Sequence, residues 1–339
     1  MSHRAAAALA LAALLGVAAP AVAKDLAKRP AGEASKVAPI APSDAGGELR
    51  WPLPAAEGRV LEYDQRVVRE RTRAQVRSRM VSSAVLEIRP GPPREAGYEQ
   101  HWRSREERVE VEGPQAAEQR ALLEAATRLF GGQVMRVRLD ADGAAAGVED
   151  VAEVFAPRFR QLLEEAMAKA GGDPAATRPL IEGMSRVEVV QGLMIQLPAT
   201  LYFPGAGGVP MGEGIDYRDE SPNPFGGKPF PMLGRIEVAP GAKDGEIDMT
   251  WTLKVDPVAG APILWDVVGT LLGKELVDSV RDELPDEIHF ETVTRYRIDA
   301  ETGVVRWLEQ VETRRVLENE DTTRTTLELR EARPATATP

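Results

Sequence analysis

Glu246-Ile247-Asp248-Met249-Thr250-Trp251-Thr252-Leu253-Lys254-Val255 is the stretch that decides the fold. Ile247, Met249, Trp251, Leu253 and Val255 occupy alternate positions, and Glu246, Asp248, Thr250, Thr252 and Lys254 fill the places between. Successive side chains of a strand point to opposite faces, so this run is a strand of a sheet with one dry and one wet side.

The same period of two continues toward the C-terminus. Ile288, Phe290, Thr292, Thr294, Tyr296 and Ile298 alternate with His289, Glu291, Arg295 and Arg297, and Asp299-Ala300-Glu301-Thr302-Gly303 supplies turn residues. Val305, Trp307 and Val311 continue on the return strand, and Thr325, Leu327 and Leu329 are expected on one side of a last strand from Asp321 to Glu331. These read as an antiparallel meander. Toward the N-terminus weaker alternation predicts strands over Arg59–Arg73, Gln75–Arg89, Gly97–Glu112 and Gln133–Asp140, with short pieces at Gly214–Arg218 and Leu233–Ala239. The turn sequences Asp140-Ala141-Asp142-Gly143 and Asp299-Ala300-Glu301-Thr302-Gly303 are alike; two hairpins using the same turn chemistry explain this more simply than an internal duplication.

Four stretches carry apolar residues at helical spacing: Gln115–Phe130, Asp150–Ala170, Pro174–Leu197 and Ala261–Leu284. Gly171-Gly172 is expected to stop the second and Pro198 the third. The fourth bears Ile263, Leu264, Val267, Val268, Leu271, Leu272, Leu276 and Val280, a stripe wide enough to need cover on more than one side. One-sided strands with broadly apolar helices give an α+β fold. The expectation is a curved, mainly antiparallel sheet of about ten strands with about four helices packed on its concave face, forming a single domain over residues 58–332.

Residues 1–23 have the form of a secretory signal peptide: Arg4, an apolar run from Ala5 to Ala19, then Ala21-Val22-Ala23 before Lys24. The apolar run is short of the about 20 residues that span a bilayer, so the mature chain is expected in the periplasm or outside the cell and not integral to a membrane. Cleavage near Ala23-Lys24 leaves 316 of the 339 residues, with His101 and His289 as the remaining histidines. Residues 24–57, rich in Ala, Pro and Gly, read as a disordered linker, and 333–339 as a disordered tail.

Composition narrows the chemistry. A formal charge of −11, becoming −12 once Arg4 is removed, speaks against a nucleic-acid partner, which requires clustered Lys and Arg. With no cysteine there are no disulfides, thiolate nucleophiles, iron–sulfur clusters or Cys-containing zinc sites, and a lipoprotein anchor is excluded. Two histidines rule out a three-histidine metal site within one mature chain. Gly183-Met184-Ser185-Arg186-Val187 lacks the last glycine of a nucleophile elbow and lies in a helical pattern, where a structural serine is the simpler reading. Gly205-Ala206-Gly207-Gly208-Val209-Pro210 lacks the Gly-Lys-Ser/Thr of a phosphate loop and reads as a connector. Asp140-Ala141-Asp142-Gly143 places glycine too early for a calcium loop, so a solvated turn is expected; the same reading covers the acidic loop residues Asp216, Asp219 and Glu220. No cofactor or metal is implied.

Three functions remain open. One is a non-catalytic envelope or secreted binding module, gripping a partner protein by a sheet edge or by the Pro/Phe-rich loop Tyr217–Pro231. The second is a periplasmic carrier of a lipid or other hydrophobic molecule, with Trp251, Met249, Leu264, Val268, Phe225 and Phe230 as the candidate ligand-binding residues. The third is a hydrolase working with carboxylates alone.

Overall fold

The computed structural model describes residues 48–49, 58–73, 76–92, 94–114, 132–141, 143–169, 174–205, 209–210, 212–223, 225–272, 288–316 and 319–335, with isolated helical positions at 116, 120, 126, 275 and 278. The leader at 1–23, most of the expected helix Gln115–Phe130, the end of the fourth helix and positions 336–339 lie outside the described residues.

Eleven strands form one antiparallel sheet. In chain order they are β2 (Arg59–Arg73), β3 (Val76–Pro90), β4 (Tyr98–Glu112), β5 (Met135–Leu139), β6 (Ala145–Val148), β8 (Gly212–Ser221), β9 (Phe230–Pro240), β10 (Glu246–Val255), β11 (His289–Asp299), β12 (Val305–Val316) and β13 (Asn319–Pro334). Their spatial order is β6-β5-β4-β3-β2-β13-β12-β11-β10-β9-β8, two runs of sequential hairpins joined where β13 returns to lie beside β2. A separate pair joins β1 (Glu48–Leu49), inside the stretch read as linker, to β7 (Val209–Pro210). β13 also runs through Pro334, past the expected domain end at 332.

The alternation in β10 holds. Ile247, Met249, Trp251, Leu253 and Val255 are all buried, whereas Lys254 is exposed and Asp248, Thr250 and Thr252 lie between. The return strand β12 runs through Val305, Trp307 and Val311 as expected, but a bulge sets its faces. A bulge between Arg297 and Ile298 shifts the register, so Ile298 opposes Val305 while Arg297 opposes Trp307. Trp307 therefore lies on the outer face, its ring 5.7 Å beneath the Arg297 guanidinium. Beyond the bulge it is Leu308, Gln310, Glu312, Arg314 and Val316 that face inward, and Val311 faces out with Trp307. One extra residue in a ladder swaps every later side chain to the other face. Strand β6 was not expected; Ala145, Ala146 and Gly147 are too small to show alternation.

Among the described residues there are four α-helices: α1 (Ala156–Lys169), α2 (Pro174–Met184), α3 (Val187–Tyr202) and α4 (Pro257–Leu272), with a π-helical turn, Val151–Phe155, leading into α1. The single helix expected over Pro174–Leu197 is two, because Arg186 takes an extended conformation (φ −59°, ψ 143°) between them. Pro198 does not stop α3, which runs on to Tyr202. Pro198, Ala199, Thr200, Leu201 and Tyr202 are all buried, and packing of that last turn outweighs the one backbone hydrogen bond that proline removes. Helix α4 starts on an Asp-Pro pair, with Asp256 Oδ1 accepting from the Val258 and Ala259 N–H groups at 3.2 and 3.0 Å.

The helices lie on one face of the curved sheet. Their main strand contacts are α3 with β6 and α4 with β9, near opposite edges, and α2 touches both α3 and α4, so the helical layer spans between the two arms. Tyr217–Pro231, expected as an extended loop, is the β8–β9 hairpin: Ser221 pairs with Phe230 and Glu220 with Pro231. Its turn is held by Asn223, whose Oδ1 accepts from the Phe225 N–H at 3.0 Å. Both Asp-Gly turns are plain hairpin turns, with Asp140 Oδ1 bonded to the Ala144 N–H and Asp299 Oδ1 to the Thr302 N–H, each at 2.9 Å.

Candidate ligand-binding face

The face of the sheet that meets the helices changes character along its strands. Its near half is apolar and closed. Tyr63, Leu86, Ile88, Trp102, Met249, Tyr296, Ile298, Leu308 and Leu327 are all buried in one cluster. The C-terminal turn of α3 inserts among them. Tyr202 donates from its hydroxyl to Gln100 Oε1 at 2.7 Å, the same oxygen that accepts from Trp102 Nε1 at 3.0 Å. Tyr296 donates to the Thr200 carbonyl at 2.9 Å, Gln310 Nε2 to Thr200 Oγ1 at 3.3 Å, and Tyr63 to the Val305 carbonyl at 2.9 Å. Burial raises the phenol pKa of Tyr63, Tyr202 and Tyr296, so all three stay neutral donors.

The structure brings the six candidate residues together on the β9–β11 side of this face, where α4 packs and Trp251 lies in register with Thr294. Trp251, Met249, Leu264, Val268 and Phe230 are all buried in the main cluster; Phe225 packs partly buried against it. Phe203, immediately after α3, stacks on Trp251 with ring centroids 3.8 Å apart and planes 8° from parallel. Trp251 also donates from Nε1 to the Tyr217 hydroxyl at 2.6 Å. Burial pushes the Tyr217 pKa up to about 12, the Trp251 hydrogen bond opposing. Tyr217 lies flat over Gly234, where a Cβ would come within 2.1 Å of the ring. A glycine inside a strand often marks such a close approach. A ligand reaching Trp251 displaces the Phe203 ring.

Toward the far ends of β2, β3 and β13 the face is half-buried and charged, while the same rows stay buried across β11 and β12, at Thr294, Gln310, Arg314 and Phe290. The register sets its side chains in rows across the strands. Val109, Ser82, Val67, Thr325, Gln310 and Thr294 form one row, and Val111, Met80, Arg69, Thr323, Glu312 and Thr292 the next. Ser78, Arg71, Asp321, Arg314 and Phe290 form the third. Asp321 is buried and accepts from Arg69 Nε at 2.9 Å and Arg71 Nε at 3.0 Å. Burial opposes its ionisation, but the Arg69 hydrogen bond and the nearby positive charge of Arg69, Arg71 and Arg314 outweigh that and hold its pKa below the usual value. Arg71 is lowered to about 10 by burial and by repulsion from Arg69, Asp321 opposing, and stays charged at neutral pH. Arg73 continues the series; burial lowers its pKa, the charge of Asp321 opposes that, and Arg73 forms no ion pair among the described residues. The sequence carried a signal for this: Arg69, Arg71 and Arg73 repeat at a period of two, on the parity of buried Tyr63.

Catalytic candidates fare differently. Ser185 donates to the Ile181 carbonyl one helical turn back, at 2.7 Å. His101 pairs with Glu99 at 2.9 Å, and His289 lies exposed 4.0 Å from Glu291. Glu87, Glu99, Asp299 and Asp321 each have a lowered pKa, held ionised by arginine, which is the wrong direction for a general acid. Among the described residues no three acidic or histidine side chains converge as metal ligands, and no helix is long and apolar enough to cross a membrane. An open depression of about 700 Å³ lies on the outer face over β8–β10, lined by Gly212, Gly214, Arg235, Glu237, Asp248 and Thr250 among others. Its arginine is taken up by Asp216 at 3.0 Å and Glu237 at 2.9 Å.

No protein-family model matches the sequence, and no curated protein matches it. Among solved structures, one described as lipid–protein interactions in lipovitellin aligns with a TM-score of 0.43 and 9% identity. The alignment covers 83% of this chain and 26% of that one, so the chain spans about a quarter of that protein's length.

Proposed function

We propose that this chain is an exported, non-catalytic binding module that carries a hydrophobic ligand on the inner face of its sheet. Residues 1–23 serve as the leader, cleaved near Ala23-Lys24, and residues 58–332 act as one domain in the periplasm or outside the cell. The observation that carries the reading is the contrast along the inner face. On β2, β3 and β4, beside the part of the face sealed by α3 and α4, the apolar side chains Val67, Met80 and Val109 remain half-buried on the same face as the core. Half-buried apolar side chains facing inward on a sheet suit a guest with a hydrocarbon body. Titrating the purified mature chain with a fluorescent acyl lipid tests this. Saturable binding in the micromolar range is expected; none at high micromolar concentration overturns the reading.

A second reading, capture of an envelope protein, is favoured by β8, an edge strand with Ile215 exposed. Edge strands recruit partners by extending the sheet. A pull-down with Ile215→Lys tests it, since a charge on the edge strand opposes sheet extension; unchanged capture overturns this reading.

A further inference from the structure

We infer that the far half of the inner face is the head-group site of a phosphate-bearing amphiphile, with the arginines of β2 as its anion receptor. The inference rests on the carrier reading above and adds the chemistry of the ligand's polar end. Three observations carry it.

The first is local charge. The protein is acidic overall, at −11. On this patch, however, Arg69, Arg71, Arg73 and Arg314 face inward with Asp321 and Glu312 as the carboxylates, an excess of two positive charges among the described residues. A protein that repels anions generally has concentrated cations on one inward surface.

The second is residue type. All four cations are arginine, whose planar fork matches phosphate oxygens in pairs and is less strongly hydrated than an ammonium. Asp321 takes the Nε groups of Arg69 and Arg71 and fixes their side chains, while Arg73 feels Asp321 at longer range and forms no ion pair among the described residues. The cluster is partly preorganised and electrostatically unfinished. Partial burial strengthens its pull on an anion.

The third is what adjoins it. In the registers around Arg69 sit Met80, Val111, Val67 and Val109, so the cations border apolar and small side chains, not open water. From Gln65, at the edge of the closed half, to Arg71 is six residues, about 20 Å of strand. One leaflet of a bilayer's hydrocarbon is about 15 Å thick. The face therefore has the length for an acyl chain lying along the strands with its phosphate at Arg71 and Arg73.

The test compares a short-chain phosphatidic acid, the matching diacylglycerol and glycerol 3-phosphate by calorimetry on the mature chain. Phosphatidic acid is expected to bind at least about tenfold more tightly than either of the others. Arg73→Gln, which orphans no carboxylate, is expected to remove most of that preference and leave diacylglycerol binding unchanged. Arg71→Gln is expected to do the same, with partial recovery in Arg71→Lys. Equal binding of phosphatidic acid and diacylglycerol overturns the head-group inference and leaves the carrier reading standing. Equal binding of glycerol 3-phosphate and phosphatidic acid also overturns it, because the site then takes a free anion. Binding of neither lipid removes the carrier reading and the inference together.

Discussion

The two halves of the inner face are built from the same long strands and differ in what closes them. In the near half, Tyr63, Leu86, Leu308 and Leu327 meet the last turn of α3, and the buried phenols there have fixed partners, as Tyr296 has in the Thr200 carbonyl. In the far half the same β2, β3 and β13 carry Val67, Met80, Thr325 and Arg69, half-buried. Stability resides in the first and adaptability in the second. The strands continue past the point where folding needs them, and the surplus length is free for a guest.

Substitutions sharpen the contrast, and the largest effect is expected at Trp251. It is stacked on Phe203 and bonded to Tyr217, so Trp251→Ala should cost about 4 kcal/mol, seen as a lower urea midpoint with the slope unchanged. Next comes Asp321→Asn. It leaves Arg69 and Arg71 half-buried without their counter-ion and should cost about 3 kcal/mol, at the low end for a buried pair because both guanidiniums keep about a quarter of their exposure. Since the folded pKa of Asp321 lies below its unfolded value, its contribution is present above about pH 4 and lost as pH falls through the lower folded value. Acid titration of the melting temperature should therefore be shallower in Asp321→Asn than in the parent. Gly234→Ala pushes a methyl into the Tyr217 ring and should cost about 2 kcal/mol, with the Trp251 fluorescence altered as its bond to Tyr217 breaks. Met80→Ala, in the far half, should cost less than about 1 kcal/mol, yet weaken lipid binding severalfold. If Met80→Ala matched Trp251→Ala in cost, the two halves would not be distinct.

Much of this was legible in the sequence. The alternation of Ile247 to Val255 gave the strand, its dry face and the antiparallel class, because period two survives wherever one side is packed and the other wet. The stripe of α4 marked Leu264 and Val268 as needing cover, and both are buried. Other features escaped for identifiable reasons. Pro198 looked like a helix end, since propensity cannot register the tertiary burial that overrides it. The inward face of β12 was not legible, because a bulge leaves no mark in composition. Arg69, Arg71 and Arg73 were missed as a set because charged residues on a strand are ordinarily outward. Only the parity shared with Tyr63 shows that they are not.

The account turns on where a bound acyl chain lies, and photo-crosslinking with a chain-labelled phosphatidic acid measures that directly. Label on Val67, Met80 and Val109, with Trp251, Leu264, Val268, Phe225 and Phe230 unmarked, is the result expected. Label concentrated on Trp251 and Leu264 would instead place the guest in the half described here as closed and contradict the division of the face.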